Sequence, residues 1–148
     1  TSRDTTAAAC ISEVGLSPLD VDDVVLVIRA FPIRVAGDSG PLKNEITWED
    51  VVSEGMHAQR IEEKTTVTKK VRRVARFTPD VVTRAILINR PTRIVLNHVD
   101  YLRSKNSVGW KYFIEKEINK IETNINRSVD LIGYGRSEIC PKNVFIQE

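Results

Sequence analysis

Three short apolar runs, separated by stretches with helical periodicity, constrain the fold of this chain most strongly. They are Val24–Ile28, Arg93–Leu96 and Val129–Ile132. Runs of this length and composition are typical of strands that are buried on both faces of a sheet. Because helical stretches lie between them, parallel pairing is favoured. The sequence therefore predicts an α/β fold, with a mostly parallel sheet and flanking helices.

Capping signals locate the helices of this predicted fold. Thr47 and Asp50 have the spacing of a capping box. Thr78, Pro79 and Asp80 supply an N-cap, a proline in the first helical position and an acid in the first turn. The predicted helices span residues 2–14, 47–53, 78–89 and 107–125, the last of them long and amphipathic.

Composition excludes several classes of function. The 148 residues suffice for one domain with a core, and the net charge of +2 is too small to indicate nucleic acid or a membrane surface. No apolar run is long enough to span a bilayer, and no segment resembles a signal peptide. Cys10 and Cys140 lie far apart without metal-ligand spacing, as in proteins of a reducing cytoplasm. We therefore expect a cytoplasmic protein without nucleic-acid or membrane partners.

The positive charge of the chain is concentrated between Lys64 and Arg76. These thirteen positions hold six of the 22 basic residues, three threonines and no acid. Fixed cations and short hydroxyl groups suit the binding of a carboxylate or phosphate. The alternative is a solvated basic strand edge, since lysine and arginine commonly protect exposed edges. Alternation of residue types predicts that 65–74 is extended.

Polar residues follow each predicted strand region. They are Arg34–Gly37, Asn97–Asp100 and Gly133–Gly135. In open α/β sheets ligands bind at the carboxyl ends of strands, so a nucleotide site is favoured. The Asp100 carboxylate could accept two adjacent hydrogen bonds, from the N1–H and exocyclic amine of guanine; alternatively, it caps the turn at Tyr101. The two glycines would allow close approach to a base, or form a turn.

Five segments together resemble adenylosuccinate synthetase: Thr1–Ala7, Phe31–Pro41, Thr65–Arg73, Asn97–Asp100 and Gly133–Gly135. They occur in the order of that family and cover essentially the whole chain. The resemblance implies part of a P-loop-like nucleotide-binding ligase, which uses GTP and Mg²⁺ to join L-aspartate to IMP in purine biosynthesis. It also implies a cytoplasmic homodimer.

The resemblance implies binding roles that are divided among three ligands. Asp100 matches the aspartate that reads guanine, and Arg72 matches the arginine that bridges the aspartate and GTP sites. Contacts to IMP are implied for Thr1, Val35 and Lys70; contacts to L-aspartate for Thr66, Val67, Thr68, Lys69, Lys70, Val71 and Arg72; and contacts to GTP for Arg72, His98, Val99, Asp100, Gly133, Tyr134 and Gly135.

The chain departs from the family pattern at two of these positions. His98 stands where the family usually has a lysine against the guanine, and Lys70 where it usually has an arginine. The choice between GTP and ATP therefore stays open. Only 32 residues separate Asp100 from Gly133. This spacing resembles the short form of archaea and of phage relatives that make 2-aminoadenylosuccinate from dGMP, so IMP and dGMP are both open as acceptors.

The family's Gly-Asp-Glu-Gly-Lys-Gly segment, which carries the catalytic aspartate and part of the Mg²⁺ site, does not occur in this sequence. The family's catalytic histidine is also unmatched, and the chain begins at Thr1 without methionine. We therefore expect residues 1–148 to be the C-terminal portion of a synthetase, with no catalytic residue or metal ligand of its own and no activity alone. The alternatives are an inactive nucleotide-binding fragment and, more remotely, a nucleic-acid-binding module that uses the basic run.

Overall fold

The computed structural model describes residues 4–135 and 137–147. The predicted IMP contact Thr1 lies outside the described residues. Within this part of the chain no helix is long and apolar enough to cross a membrane. In chain order, the helices and strands are α1 (Ala7–Glu13), β1 (Val25–Arg29), β2 (Ile33–Arg34), β3 (Glu45–Ile46), α2 (Trp48–Glu54), β4 (Arg73–Ala75), α3 (Pro79–Asn89), β5 (Arg93–Asn97), α4 (Trp110–Ile125), β6 (Leu131–Tyr134), β7 (Glu138–Pro141) and α5 (Lys142–Gln147), and short 3₁₀ turns occupy Pro18–Asp20 and Val99–Tyr101.

The main sheet has four strands in the order β1-β5-β6-β7. β1, β5 and β6 run parallel, whereas β7 is antiparallel to β6. This confirms the predicted α/β class and its mostly parallel sheet. β7 was not predicted because its sequence has no apolar run and ends in Pro141, a residue that sheets accept mainly at an edge.

A second sheet, in the order β2-β4-β3, is antiparallel and was not predicted. Its strands have only two or three residues, which is too few for a periodic signal. The expectation that residues 65–74 are extended is correct only towards their end, at Val71, which bridges to Lys64, and in β4. Residues 66–68 form a turn and Lys69 has a φ of 53°. Threonine hydroxyls that bond to neighbouring backbone favour such turns over strands.

Side chains of α4 and the main sheet form the centre of the core. Four isoleucines on one face of α4, at positions 114, 118, 121 and 125, are buried, and Ile94, Leu96 and Ile132 from β5 and β6 are fully buried. The expectation that the first strand is buried on both faces is wrong, since Val25 is 47% and Val27 57% exposed. β1 is an edge strand in this structure, and an apolar run does not itself determine which residues will cover it.

The predicted capping signals were correct for one helix and only partly so for another. At α2, Thr47 Oγ1 accepts from the Asp50 amide at 3.1 Å, and the Asp50 carboxylate accepts from the Thr47 amide at 2.9 Å. At α3, proline and acid occupy the predicted positions, but the Thr78 side chain makes no capping bond. It donates to the Arg76 carbonyl instead. α1 and α4 begin several residues later than predicted, at Ala7 and Trp110.

Candidate functional site

The carboxyl ends of β1, β5 and β6 meet at one edge of the main sheet because the three strands are parallel neighbours. This brings together the polar segments Asn97–Asp100 and Gly133–Gly135, as predicted. The third predicted segment, Arg34–Gly37, does not follow β1: Arg34 is the last residue of β2 in the second sheet, and residues 35–37 come after it. The residue that ends β1 is Arg29, which was not among the predicted site residues.

The turn after β5 depends on a close contact between Asn97 and Gly133. His98 adopts the left-handed conformation with a φ of 57°, and its amide donates to Asn97 Oδ1 at 2.9 Å. A Cβ atom on Gly133 would lie 2.2 Å from that same oxygen. Gly133 therefore leaves room for the Asn97 side chain. Gly135, which has a φ of 68°, instead makes the turn that follows β6.

His98 and Asp100 present buried polar atoms at this edge of the sheet. Their Nδ1 and Oδ1 atoms are 4.0 Å apart, and neither atom has a hydrogen-bond partner within the described residues. Burial lowers the pKa of His98 below its usual value, and the positive charge of Arg29 is the second cause of this shift. The imidazole is therefore neutral at pH 7 and does not supply the charge of a lysine. Both atoms retain capacity to bind a ligand.

Tyr134, at the end of β6, lies beside the turn that carries His98 and Asp100. Burial raises the pKa of its hydroxyl to about 12, and the negative charges of Asp100 and Glu138 contribute to the shift to a smaller extent. Its ring packs against Trp110 at 5.8 Å between centroids, and Lys105 Nζ is 4.3 Å from the ring centroid. Aromatic and cationic groups thus border the predicted nucleotide-binding turn.

The predicted aspartate loop is a tight turn at the end of a two-stranded bridge. Lys64 pairs with Val71, the Thr65 and Thr68 hydroxyls are 2.5 Å apart, and the Lys70 amide donates to Thr65 Oγ1 at 3.1 Å. At the tip, Val67 is 89% exposed. The local hydroxyl bonds give the turn its shape and leave its tip in solvent.

The cations of the basic run fall into two groups. Arg73 binds both oxygens of Glu45, at 2.8 and 2.6 Å; Arg76 binds Glu54, and Lys64 binds Glu62. The side chains of Lys69, Lys70 and Arg72, by contrast, have no ion-pair partner among residues 4–135 and 137–147. These three lie within the segment for which L-aspartate binding was predicted, so they remain available for an anion.

Two neighbouring residues, Glu63 and Trp48, hold the backbone of Arg72 in place by hydrogen bonds. Its amide donates to the Glu63 carbonyl at 2.7 Å, and its carbonyl accepts from Trp48 Nε1 at 2.7 Å. The Glu63 carboxylate accepts from the Tyr101 hydroxyl at 3.1 Å and pairs with Arg29. Trp48 also packs edge-on against Tyr101, at 6.0 Å. The base of the loop is therefore attached to the turn that carries Asp100.

Sequence reasoning missed these connecting residues. Trp48 and Glu63 lie outside every predicted site segment, and Tyr101 was considered only as part of the turn that Asp100 could cap. Their sequence positions carry no periodic or motif signal. Arg29, a charged residue at the end of an apolar strand, offered the one available hint.

Val35 comes directly after β2, which pairs with β4, the strand that follows the loop. It follows Arg34, which pairs with Arg73 across β2 and β4. Arg73 also donates to the Gly40 carbonyl at 2.8 Å, and Ser39 Oγ donates to the Val35 carbonyl at 2.6 Å. Val35 is 48% exposed, so its side chain is accessible to a ligand.

The residues that the structure describes contain no group of three or more histidine, cysteine, aspartate or glutamate side chains that could hold a metal ion.

We expect Glu63→Gln to lower the free energy of unfolding by roughly 1–3 kcal/mol, because the substitution removes the charged partner of a mostly buried arginine. The side chains of Arg29 and Glu63 are only 24% and 20% exposed. A urea unfolding curve measures the change. Glu62→Gln is the matched control, since Glu62 pairs with the exposed Arg60 and Lys64. Equal unfolding midpoints for the two variants would contradict this account of Glu63.

Comparison with known proteins identifies a family. The sequence pattern of the family described as adenylosuccinate synthetase matches residues 1–130. The adenylosuccinate synthetase of Archaeoglobus fulgidus is 33% identical over 141 residues, covering 91% of this chain and 40% of the relative. The N6-succino-2-amino-2'-deoxyadenylate synthase of Vibrio phage phiVC8 is 32% identical over 139 residues, covering 91% of this chain and 38% of the relative.

A solved structure has the same fold. The cyanophage S-2L succinoaminodeoxyadenylate synthetase, bound to dGMP and to dATP as an energy donor, matches with a TM-score of 0.74 and 28% identity. The match covers 99% of this chain and 43% of that one. The chain thus spans about 40% of the length of the curated relatives it matches.

Proposed function

This chain belongs to the adenylosuccinate synthetase family, and from this premise we propose that it is the C-terminal portion of a ligase that joins L-aspartate to IMP with GTP as phosphoryl donor. The observation that carries the proposal is the arrangement of Lys69, Lys70 and Arg72. These cations lack ion-pair partners within the described residues, and Glu63 attaches their loop to the turn of Asp100. A dicarboxylate would therefore bind beside a nucleotide base.

In the complete ligase the γ-phosphate passes from GTP to O6 of IMP while the purine loses its N1 proton. The amino nitrogen of aspartate then bonds to C6, and the phosphate leaves with O6. Reactions of this kind depend on positioning and on neutralised charge. In this chain Arg72 and Lys69 hold the carboxylates of aspartate, Val35 and Lys70 border IMP, and Asp100 accepts from the guanine ring. The base that removes the proton belongs to the remaining portion of the ligase.

A second candidate is the phage reaction, with dGMP as acceptor and an adenine nucleotide as donor. Two observations favour it. The phage relative matches about as well as the archaeal one. In addition, His98 is neutral where the family usually has lysine, and the cyanophage synthetase of the same fold holds dATP as an energy donor.

One assay tests both candidates. We would combine this chain with the complementary portion of the synthetase and follow phosphate release with aspartate and each pairing of IMP or dGMP with GTP or dATP. We expect turnover with one acceptor and none from the chain alone, because the catalytic base is supplied by the complementary portion. Turnover without aspartate, or in no combination despite a stable complex, would overturn the proposal.

For the complete ligase we also propose Mg²⁺ dependence, a homodimer and a cytoplasmic location. Family membership supports these three properties, and the magnesium ligands would come from the complementary portion. The alternative of a nucleic-acid-binding module would be supported only by a salt-sensitive gel shift with duplex or single-stranded DNA.

A further inference from the structure

Tyr101 connects the turn after β5 to two distant segments of the chain. It is the last residue of that 3₁₀ turn, directly after Asp100, and its ring is partly buried against the core. The ring stacks on the His98 imidazole with 5.0 Å between centroids, and the Trp48 ring lies almost perpendicular to it at 6.0 Å. The Tyr101 hydroxyl donates to the Glu63 carboxylate at 3.1 Å. Trp48 and Glu63 therefore both contact this side chain.

The same two partners of Tyr101 hold the base of the predicted aspartate loop. The Glu63 carbonyl accepts from the Arg72 amide, and Trp48 Nε1 donates to the Arg72 carbonyl, each at 2.7 Å. Both polar groups of the Arg72 backbone are thus bonded to residues that contact Tyr101. A displacement of the Tyr101 side chain would therefore reach the peptide groups on either side of the Arg72 side chain.

The hydrogen bond between Tyr101 and Glu63 is a firm connection. The Glu63 carboxylate also pairs with Arg29, and the two charged side chains are only 20% and 24% exposed. Burial raises the pKa of the Tyr101 hydroxyl above its usual value, and the negative charge of Glu63 is the second cause of this shift. The hydroxyl therefore stays protonated and donates to an ionised acceptor, which makes a stronger hydrogen bond than one between neutral groups.

On the opposite side, Tyr101 adjoins the atoms that are available to a nucleotide base. His98 Nδ1 and Asp100 Oδ1 are buried and have no hydrogen-bond partner among the residues that the structure describes. A base that bonds to these atoms would order the residue that stacks on Tyr101 and the residue that precedes it. When one ligand orders part of a site, a second ligand has less ordering entropy to lose there.

We propose that Tyr101 is a positioning residue that couples the binding of the donor nucleotide to the binding of aspartate. A base bound at the turn after β5 fixes Tyr101, and Tyr101 then holds Arg72 in place for aspartate through its two partners. The two ligands therefore strengthen each other's binding by the same factor, as thermodynamic linkage requires. This role needs no contact between Tyr101 and either ligand. The identity of the ligands rests on the proposed function, whereas the contacts of Tyr101 do not.

Tyr101→Phe tests the coupling, because it removes the hydroxyl and keeps the ring that packs against Trp48 and His98. Tyr112→Phe is the matched control, since Tyr112 lies on α4 and is 74% exposed. Aspartate is titrated by calorimetry into the complex of this chain with the complementary portion, with IMP present and with or without the β,γ-imido analogue of GTP. We expect the analogue to strengthen aspartate binding about fivefold or more in the parent and in Tyr112→Phe, and less than about twofold in Tyr101→Phe. The same titrations with dGMP and the imido analogue of dATP cover the second candidate reaction.

Two further readouts separate coupling from a purely structural role. Without the donor analogue, Tyr101→Phe should bind aspartate as the parent does. In the parent complex the analogue alone should slow hydrogen exchange at the Arg72 amide, and in Tyr101→Phe it should not. Full coupling in Tyr101→Phe, or equal weakening of aspartate binding with and without the analogue, would overturn the positioning role. Unchanged exchange at the Arg72 amide of the parent with both donor analogues would overturn it even if the variant failed to fold.

These outcomes are distinct from those of the turnover assay, because neither measurement requires turnover. If a donor analogue strengthens aspartate binding through Tyr101 but no substrate combination turns over, the coupling holds and the proposed reaction fails. If turnover occurs and Tyr101→Phe keeps the full coupling, the positioning role fails alone.

Discussion

Replacing Arg72 with alanine in the assembled synthetase is expected to raise the KM for aspartate about tenfold or more. A charge-assisted hydrogen bond of this kind contributes roughly 1.5–3 kcal/mol. The Arg72 side chain is half-buried and has no ion-pair partner within the described residues, so its charge is available to a substrate carboxylate. Its backbone bonds to Glu63 and Trp48 do not depend on the side chain, so the loop should keep its position.

The measurement is a steady-state titration of aspartate at saturating nucleotides. Arg73→Ala is the matched control, one residue further along the run. That change removes the pair with Glu45 and the bond to the Gly40 carbonyl, so its effect should appear in the melting temperature and not in the aspartate KM. Arg72→Lys should recover only part of the loss, because an ammonium lacks the planar fork of a guanidinium. An unchanged KM for Arg72→Ala would remove Arg72 from the aspartate site.

The main sheet could be predicted from the sequence because its signals are local. Each of the three apolar runs is long enough to be recognised as a strand, and the helices between them indicate that the strands run parallel. Once the strands are parallel, their carboxyl ends must lie at one edge. The proximity of Asn97–Asp100 to Gly133–Gly135 therefore followed from the sequence before any contact was known.

The connections within the candidate site could not be predicted, since they join distant segments through single contacts. Glu63 bonds to Tyr101, 38 residues away, and Trp48 bonds to the carbonyl of Arg72, 24 residues away. Neither contact produces a repeating pattern. The same limit applies to the basic run: charge density marked it as a candidate anion site, but only the structure distinguishes Arg73 and Arg76, which bind acids of the chain, from Arg72.

Replacing Asp100 with asparagine is expected to weaken the preference for GTP over dATP as phosphoryl donor, with the kcat/KM for GTP falling about ten- to a hundredfold. The two carboxylate oxygens can accept hydrogen bonds from both N–H groups of the guanine edge. An asparagine side chain has an NH₂ group in place of one oxygen, so this group would face an N–H of the base and could not bond to it. Adenine lacks this donor pair, so the kcat/KM for dATP should stay level or rise. Competing GTP and dATP in one assay measures the ratio directly.

His98→Lys is the companion variant for this measurement, because it introduces the charge that the neutral His98 does not supply at pH 7. If GTP is the donor, this variant should bind GTP more tightly, and Asp100→Asn should bind it more weakly. If dATP is the donor, neither change should lower its kcat/KM. An Asp100→Asn enzyme with unchanged kcat/KM for both donors would show that Asp100 does not read the base. The carboxylate would then serve the turn before Tyr101, and donor choice would depend on residues of the complementary portion.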